Sequence, residues 1–403
     1  MIKFSVLLPT RDRLRYLKYA IETVRRQNYD NWEIIISDNC SEQDITGYAQ
    51  SLNEPRITCY RTEKFIPVTD NWNNVLEKST GDYVIMLGDD DCLMKGYFTT
   101  LNQLIEEYSN PDLIHTNAFM YAYPGAIPKY PNGFLQIWSY DIYNSDKPYL
   151  LDKKRAIKLV QKTLDFRVGF GWNMQFSLVS RSLINELKKS GPFYQSPYPD
   201  YYATNLIFVK TKQILICPYP MVAIGITPKS FGGFYFSDQE QKGIDLLKNM
   251  VPKNFQNLQD IVLPGEQHNT SWLFAVETIK RNIGAEYPDL CVNYRRYRFI
   301  QIFYLYKRYY MDKQVEKSQI LELRELMNWS EKLYSTGLWF IFKMIELLKY
   351  NHDAMAVKFQ SIIGQYPLHT TKLLLCENNH KNILEVFEKE SEKIGGSLSQ
   401  ERS

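Results

Sequence analysis

No two of the six cysteines stand at Cys-x-x-Cys spacing; they fall at positions 40, 59, 92, 217, 291 and 376. That excludes a paired-thiolate zinc site and a dithiol redox motif. Reduced thiols in a cytoplasmic protein are the simplest account. No stretch reaches the roughly 18 uncharged apolar residues that a membrane-spanning helix needs. Met1-Ile2-Lys3-Phe4 runs straight into a strand-like segment, so no signal peptide is expected. The net charge is only +3, which does not suggest a dedicated nucleic-acid binder. The five histidines (115, 268, 352, 369, 380) are dispersed without metal-ligand spacing and read as structural. Aromatics are in surplus, with 30 tyrosines and 7 tryptophans. Such rings suit sugar faces and wet interfaces, and ordinary cores equally.

At 403 residues two domains are expected. The first hundred residues alternate strand and helix patterns. Phe4 to Leu8 is an apolar strand, and Leu14, Leu17, Ile21 and Val24 mark a helix over 13–26. Trp32 to Ser37, Ile57 to Tyr60 and Tyr83 to Leu87 read as further strands. Helices at 45–52 and 70–78 separate them. This alternation predicts an α/β fold with a doubly wound, mainly parallel sheet. From 121 to 149 the pattern dissolves into Pro, Gly, Tyr and Asn, read as extended loops or a hairpin. Helical patterns follow at 152–163, 181–189 and 201–209, with strands at 176–179, 213–216 and 221–226. Beyond about residue 240 strand signals nearly vanish. Helices are expected at 272–283, 294–310, 314–327, 338–350 and 354–366. A boundary near Phe231-Gly232-Gly233-Phe234 gives domains at 1–235 and 236–403, the second mainly α-helical, with frayed last residues.

The most informative feature is Asp89-Asp90-Asp91 at the end of the apolar run Tyr83 to Gly88. A buried strand ending in carboxylates delivers negative charge to the C-terminal edge of the sheet, where open α/β sheets bind ligands. Three adjacent carboxylates repel unless a cation or shared proton relieves them. An all-oxygen set suits Mg2+ or Mn2+, ions that also grip phosphate. A solvated acidic turn is the plainer alternative.

Ser5 to Arg13, Ile35 to Ser41, Asn71-Trp72-Asn73-Asn74, Thr80 to Tyr83 and Leu87 to Asp91, in this order and spacing, resemble the nucleotide-binding half of glycosyltransferase family 2. The resemblance covers about 3 to 225. It implies a GT-A fold and transfer of a sugar from a nucleotide-diphospho donor, with inversion and a divalent metal, Mn2+ or Mg2+. It implies a hexosyl- or N-acetylhexosaminyl-type transferase. By the same resemblance, Asp38 contacts the base, Asn73 is the helix asparagine, and Asp89 and Asp91 are the outer residues of an Asp-x-Asp motif. Asp91 and Asp89 would then meet metal and ribose, with Asp90 behind them. Pro9, Thr10 and Arg11 leave the first strand where backbone N–H groups and a guanidinium can meet phosphate or base. Seen alone, Arg11 reads as a surface residue, Asp38 as a turn aspartate and Asn73 as a polar helix position.

The run from Gly191 to Tyr202 resembles the family's acceptor-site segment, with Pro199-Asp200 where an acidic residue opens a helix. Asp200 is the expected catalytic base, deprotonating the acceptor hydroxyl, and also suits an N-cap. Asp165 and Glu186 are the nearest other acids. Trp172, Asn173 and Tyr201 are expected on the acceptor side; the Trp172 indole suits a sugar platform or the core. The Gln-x-x-Arg-Trp signature of processive synthases is absent, which implies single-sugar addition. Tyr294 to Arg298 and Tyr304 to Tyr310 interleave bases with aromatics. That pattern reads as a peripheral contact with anionic lipid headgroups at the inner membrane face, or as a helix packed on the catalytic domain. The expected function is a metal-dependent inverting transferase, UDP-sugar by default, acting on a glycan or lipid-linked acceptor in surface polysaccharide synthesis. The alternatives are a nucleotidyltransferase of related fold and a non-catalytic glycan-binding scaffold.

Overall fold

The computed structural model describes residues 1–137, 140–228, 230, 258, 260–347, 376–377 and 380–390. Four strands run parallel in the order β3-β2-β1-β4: β1 (Phe4–Thr10), β2 (Trp32–Asp38), β3 (Ile57–Arg61) and β4 (Tyr83–Met86). Helices α1 (Leu14–Arg25), α2 (Ile45–Ser51) and α3 (Val68–Glu77) make the crossovers. The inner strands are apolar on both sides because helices cover both faces. Val6, Leu7, Leu8, Ile34 and Ile36 are fully buried, and α1 buries Leu17, Ala20, Ile21 and Val24 against the sheet. This half follows the periodicity closely.

Helix α4 (Tyr97–Glu107) leads into β6 (Leu113–Ala122), every residue of which is buried. The periodicity assigned nothing to this stretch, because His115-Thr116-Asn117 interrupts its apolar run. β9 (Ser177–Ser180) runs antiparallel between β4 and the first half of β6, and β7 (Phe134–Ile137) pairs with the second half. On the other edge of β6 lies β10 (Ile214–Ile226), parallel along its whole length. The sequence reads as two strands there. In the structure they are one strand with irregular register around Pro218 and Pro220, where proline cannot donate to the ladder. β5 (Cys92–Leu93) and β8 (Tyr149–Leu150) add antiparallel to β10. So part of the 121–149 region is strand, and the expected hairpin is there in the antiparallel pairing of β7 with the end of β6. The expected α/β architecture, doubly wound about a sheet whose main strands share one direction, is what the chain forms.

Helices α5 (Lys153–Leu164), α6 (Arg181–Leu187) and α7 (Pro199–Lys210) complete the layers. The helical region then follows as α8 (Gln267–Ile283), α9 (Tyr294–Lys307), α10 (Lys317–Leu326) and α11 (Trp329–Leu347). Helix α8 packs on α7, and the Trp272 indole donates to the Thr163 carbonyl at 3.1 Å. The two regions share one hydrophobic core. The chain returns to the sheet at its end: β11 (Cys376–Glu377) pairs with β7, and Ile383, Val386 and Phe387 pack with Phe119 and Tyr121. The helix expected at 354–366, the boundary at 231–234 and the final residues lie outside the described residues. No described helix is long and apolar enough to cross a membrane.

The basic-aromatic stretch is mostly interior. Tyr297, Ile300, Ile302, Phe303, Tyr304, Leu305 and Tyr306 of α9 are buried. Arg298 makes a two-pronged ion pair with buried Glu331 at 2.7 and 2.9 Å and donates to the Leu326 carbonyl. Packing, not a free basic face, accounts for this helix. Helix α11 differs: Leu338, Phe342 and Ile345 are buried, while Trp329, Leu333, Phe340 and Leu347 are 60–74% exposed.

His115 on β6 is fully buried among Tyr143, Phe170, Phe176 and Phe208. Its Nδ1 lies 3.1 Å from the Ser177 hydroxyl. Burial pushes its pKa down from 6.5 to about 3. The folded state therefore refuses a proton that the unfolded chain accepts. Stability from this site is complete above pH about 6.5 and is lost as pH falls toward about 3, by about 1.4 kcal/mol per pH unit. His115→Phe should flatten the acid limb of urea-unfolding free energy between pH 6.5 and 4.5. An unchanged slope would exclude His115 as the cause.

Candidate active site

The last rung of the parallel sheet sets Thr10, Asp38 and Arg61 side by side at its C-terminal edge. The acidic triplet follows β4 on the same edge. Thr10 Oγ1 donates to Asp89 Oδ2 at 2.6 Å, tying β1 to the acidic turn. Arg13, just before α1, reaches into the cluster. Its guanidinium lies 3.0 Å from Asp89 Oδ1, pairs with Asp90 Oδ2 and donates to Thr227 Oγ1 at 2.5 Å. Thr227 in turn donates to Asp90 at 3.1 Å, closing a triangle between α1, the turn and the end of β10.

Asp91 is held by different donors. Its Oδ2 accepts from the Gly88 N–H (2.8 Å) and from Gln175 Nε2 (2.6 Å), and its Oδ1 accepts from the Gly225 N–H (2.7 Å). Gly225 has to be glycine, because a Cβ there would sit 2.0 Å from the Asp90 carbonyl oxygen. All three carboxylates are 2–6% exposed. Burial raises the Asp89 pKa to about 6 against the opposing pull of Arg13. Burial and the neighbouring Asp90 raise Asp91 to about 7. Burial alone would lower the Arg13 pKa, but Asp89 and Asp90 more than offset it.

Asp38, expected to meet a base directly, is fully buried. Its Oδ2 accepts from Arg61 at 2.6 Å and its Oδ1 from the Ser41 N–H at 3.0 Å. Both oxygens point into protein, and the exposed group at that rung is the guanidinium of Arg61. Arg11 lies 4.0 Å over the Phe65 ring and 3.7 Å from Asp12. Pro9 is half-buried and pairs in register with Ser37. Asn73 is a brace: its amide donates to the Thr69 and Tyr194 carbonyls and accepts from the Tyr194 N–H at 3.0 Å. It fastens α3 to the loop before α7.

Asp200 occupies the first turn of α7, after Pro199. Its Oδ1 accepts from the Tyr201 N–H at 3.0 Å, and no cation lies within ion-pair distance of it among the described residues. It is half-buried, and desolvation raises its pKa to about 7. Trp172 is 5% exposed, wedged against Tyr201 at 4.4 Å and Trp272 at 4.7 Å between ring centroids. It is a core indole, and the sugar-platform expectation does not describe it. Tyr201 reaches His268 Nε2 through its hydroxyl at 3.3 Å. Asn173 opens the turn that carries Gln175, its carbonyl accepting from the Phe176 N–H. The segment 172–176 thus touches Asp91 through Gln175 and α7 through Trp172, whose carbonyl accepts from Thr204 at 2.6 Å. Asp165 is engaged by Asn293 and Glu186 is exposed on α6, so neither joins this centre.

Arg13, Arg61, Gln175, Gly225 and Thr227 were not singled out as site residues from the sequence. Thr227 lies 137 residues from Asp90 and Gln175 lies 84 from Asp91, so no local spacing links them. The one available signal was charge balance: three acids at a buried strand end require a cation.

The family model described as Glycosyl transferase family 2 matches residues 5–179. Over 140 residues the chain is 31% identical to WcaA of Escherichia coli K12, named as a glycosyl transferase of colanic acid biosynthesis; the match covers 32% of this chain and 48% of that protein. Over 110 residues it is 34% identical to the GalNAc(5)-diNAcBac-PP-undecaprenol beta-1,3-glucosyltransferase of Campylobacter jejuni, covering 27% and 36% of the two chains. The chain therefore spans about half, or less, of these relatives' length. Among solved structures, S. aureus TarS 1–349 in complex with UDP-GlcNAc aligns over 76% of this chain and 88% of its own, with 12% identity and a TM-score of 0.47. Residues 5–179, somewhat under half of the chain, are thus similar to glycosyltransferase family 2.

Proposed function

We propose that the chain transfers a single sugar, with inversion, from a nucleotide-diphospho donor (UDP by default) to a glycan or lipid-linked acceptor in surface polysaccharide synthesis. The observation that carries this reading is Asp200, a half-buried carboxylate in the first turn of α7 with no cationic partner among the described residues and a pKa raised to about 7. It stands one bridging segment away from the acidic turn. A base with that pKa is matched to deprotonating a hydroxyl near neutral pH. In the proposed step Asp200 takes the acceptor hydroxyl proton as that oxygen attacks the anomeric carbon. The bond to the nucleoside diphosphate breaks, and its electron pair leaves with the phosphate. The family match and the polysaccharide- and undecaprenol-linked names of the relatives favour this over a nucleotidyltransferase or a scaffold.

The acidic turn fits a divalent cation by charge. Three buried carboxylates share one guanidinium, so a further cation would relieve their mutual repulsion. Asp91 Oδ1 accepts one hydrogen bond and keeps a second lone pair. Asp91 and Asp89 would hold Mn2+ or Mg2+, which would neutralise charge on the leaving diphosphate. Arg13 and Thr10 keep the two carboxylates in place. The membrane contact of this reading belongs to the outer face of α11, where Trp329, Leu333, Phe340 and Leu347 are exposed, and not to Arg298.

Three outcomes test the reading. Asp200→Asn should fold and bind donor normally, while transfer drops about a hundred- to ten-thousand-fold. In the parent enzyme, transfer should rise with pH through about 7 as the carboxylate ionises. Near-parental transfer by Asp200→Asn would remove the base assignment. Removing divalent ions with EDTA should weaken nucleoside-diphosphate binding, and Asp91→Asn should do the same with the fold intact by circular dichroism. Full transfer in EDTA would refute the metal. Trp329→Ser with Phe340→Ser should reduce co-sedimentation with anionic phosphatidylglycerol vesicles. Equal sedimentation of parent and variant would refute the membrane face.

A further inference from the structure

We infer that Asn282 of α8 is a positioning residue for Asp200, because its amide staples the chain before the proposed base to the helix after it. The helical region is then part of the catalytic apparatus. The inference rests on the base reading above and adds to it the group that holds the base in place. Asn282 lies on the surface near the end of α8, outside residues 5–179. Its Nδ2 donates to Gln195 Oε1 at 3.1 Å and to the Tyr202 hydroxyl at 2.6 Å. These partners flank Asp200, one in the loop before α7 and one in its first turn.

The turn that carries Asp200 needs such a staple. Tyr198 at the N-cap of α7 makes no side-chain capping bond, so the first N–H groups of the helix lack the partner that normally stops fraying. Ser196 in the preceding loop has φ of +70°, in the left-handed region that residues with a side chain adopt at a cost. The Asp200 carboxylate accepts from the Tyr201 N–H, a bond internal to the turn, so it goes wherever the turn goes. Its position is therefore set by bonds from outside. On the α3 side, Thr69 Oγ1 donates to the Ser196 carbonyl at 2.8 Å, and Asn73 holds Tyr194.

On the other side, α8 supplies both anchors. The Tyr202 ring is 1% exposed and fixed in the core, so a bond to its hydroxyl is a bond to an immobile point. Gln195 is oriented to match: its Nε2 donates to the Pro192 carbonyl at 2.9 Å, which leaves Oε1 for Asn282. Near the start of α8, His268 Nε2 lies 3.3 Å from the Tyr201 hydroxyl. The two residues that follow Asp200 are thus held from opposite ends of one helix. A proton acceptor must sit within hydrogen-bond reach of the hydroxyl that attacks, and small displacements of such a group are costly.

Kinetics on the full chain test this, with UDP-glucose, UDP-galactose, UDP-N-acetylglucosamine and UDP-N-acetylgalactosamine as donors, MnCl2, and an undecaprenyl-diphosphate-linked N-acetylhexosamine as acceptor. Asn282→Ala should lower kcat about ten- to a hundredfold. The KM for the donor and the calorimetric affinity for UDP should stay parental. Tyr202→Phe removes only the hydroxyl and should lower kcat in the same way, and the double variant should lose no more than the larger single. If Asn282→Ala fails to fold, Tyr202→Phe carries the same expectations. Added to Asp200→Asn, Asn282→Ala should cost nothing further, because it acts through that carboxylate. Asn282→Asp can accept from the Tyr202 hydroxyl and should recover part of kcat. A parental kcat in Asn282→Ala, an equal loss of UDP affinity, or a full further loss on top of Asp200→Asn overturns the positioning role. Near-parental transfer by Asp200→Asn refutes the base reading itself, and a parent that uses none of the four donors refutes the transfer reading; both outcomes are distinct from the first three.

Discussion

Burying three adjacent carboxylates is the constraint around which the donor side of this protein is built. Each ion taken out of water costs several kcal/mol unless it is paired or hydrogen-bonded. Arg13 supplies the one guanidinium, shared between Asp89 and Asp90. Thr10, Thr227, Gln175 and two backbone N–H groups supply the remaining donors. Those donors come from β1, the start of α1, the turn after β4, the segment before β9 and the end of β10. Satisfying the carboxylates therefore fixes where five pieces of chain meet. Gly225 shows how close the approach is, since even a methyl group would collide with the Asp90 carbonyl.

Asp200, the proposed base, sits in the first turn of α7. It shares a raised pKa with Asp91, but it is half-buried where Asp91 is enclosed. Asp91 carries three donors, whereas the Asp200 side chain accepts from the adjacent Tyr201 N–H. Three donors hold the Asp91 carboxylate in position, whereas Asp200 keeps most of its acceptor capacity free. Packing keeps Asp200 in that state. Asn73 fastens the preceding loop, and Trp172 and Trp272 wall α7 with aromatic rings. Asn282 of α8 donates to the Tyr202 hydroxyl at 2.6 Å, so the helical region braces the helix that carries the proposed base.

The aromatic surplus is explained mainly by this packing. Tyr198, Tyr201, His268 and Trp272 contact one another around Trp172, and Tyr143, Phe170, Phe176 and Phe208 enclose His115. Rings that could have faced sugar instead face each other. Exposed apolar surface concentrates on α10 and α11, where Leu321, Leu326, Trp329 and Leu333 are more than half exposed.

The sequence by itself determined the alternating half of the fold and the position of the acidic turn. Both are local properties: a two- or 3.6-residue repeat of apolar side chains, and three acids next to one another at a strand end. It also marked Asp200, because a proline followed by an acid opens a helix within one turn. What it left open were choices that depend on distant partners. β6 was illegible because its polar residues, His115, Thr116 and Asn117, lie buried within the sheet and not against solvent. Asp38 looked like a ligand contact until Arg61, on the next strand, enclosed it. Trp172 read equally as platform or core until Tyr201 and Trp272 closed over it. Arg298 looked like a surface charge until Glu331, 33 residues later, paired with it inside the protein. In each case the residue type was visible but its exposure was not, and exposure is set by which strands and helices the tertiary fold brings together.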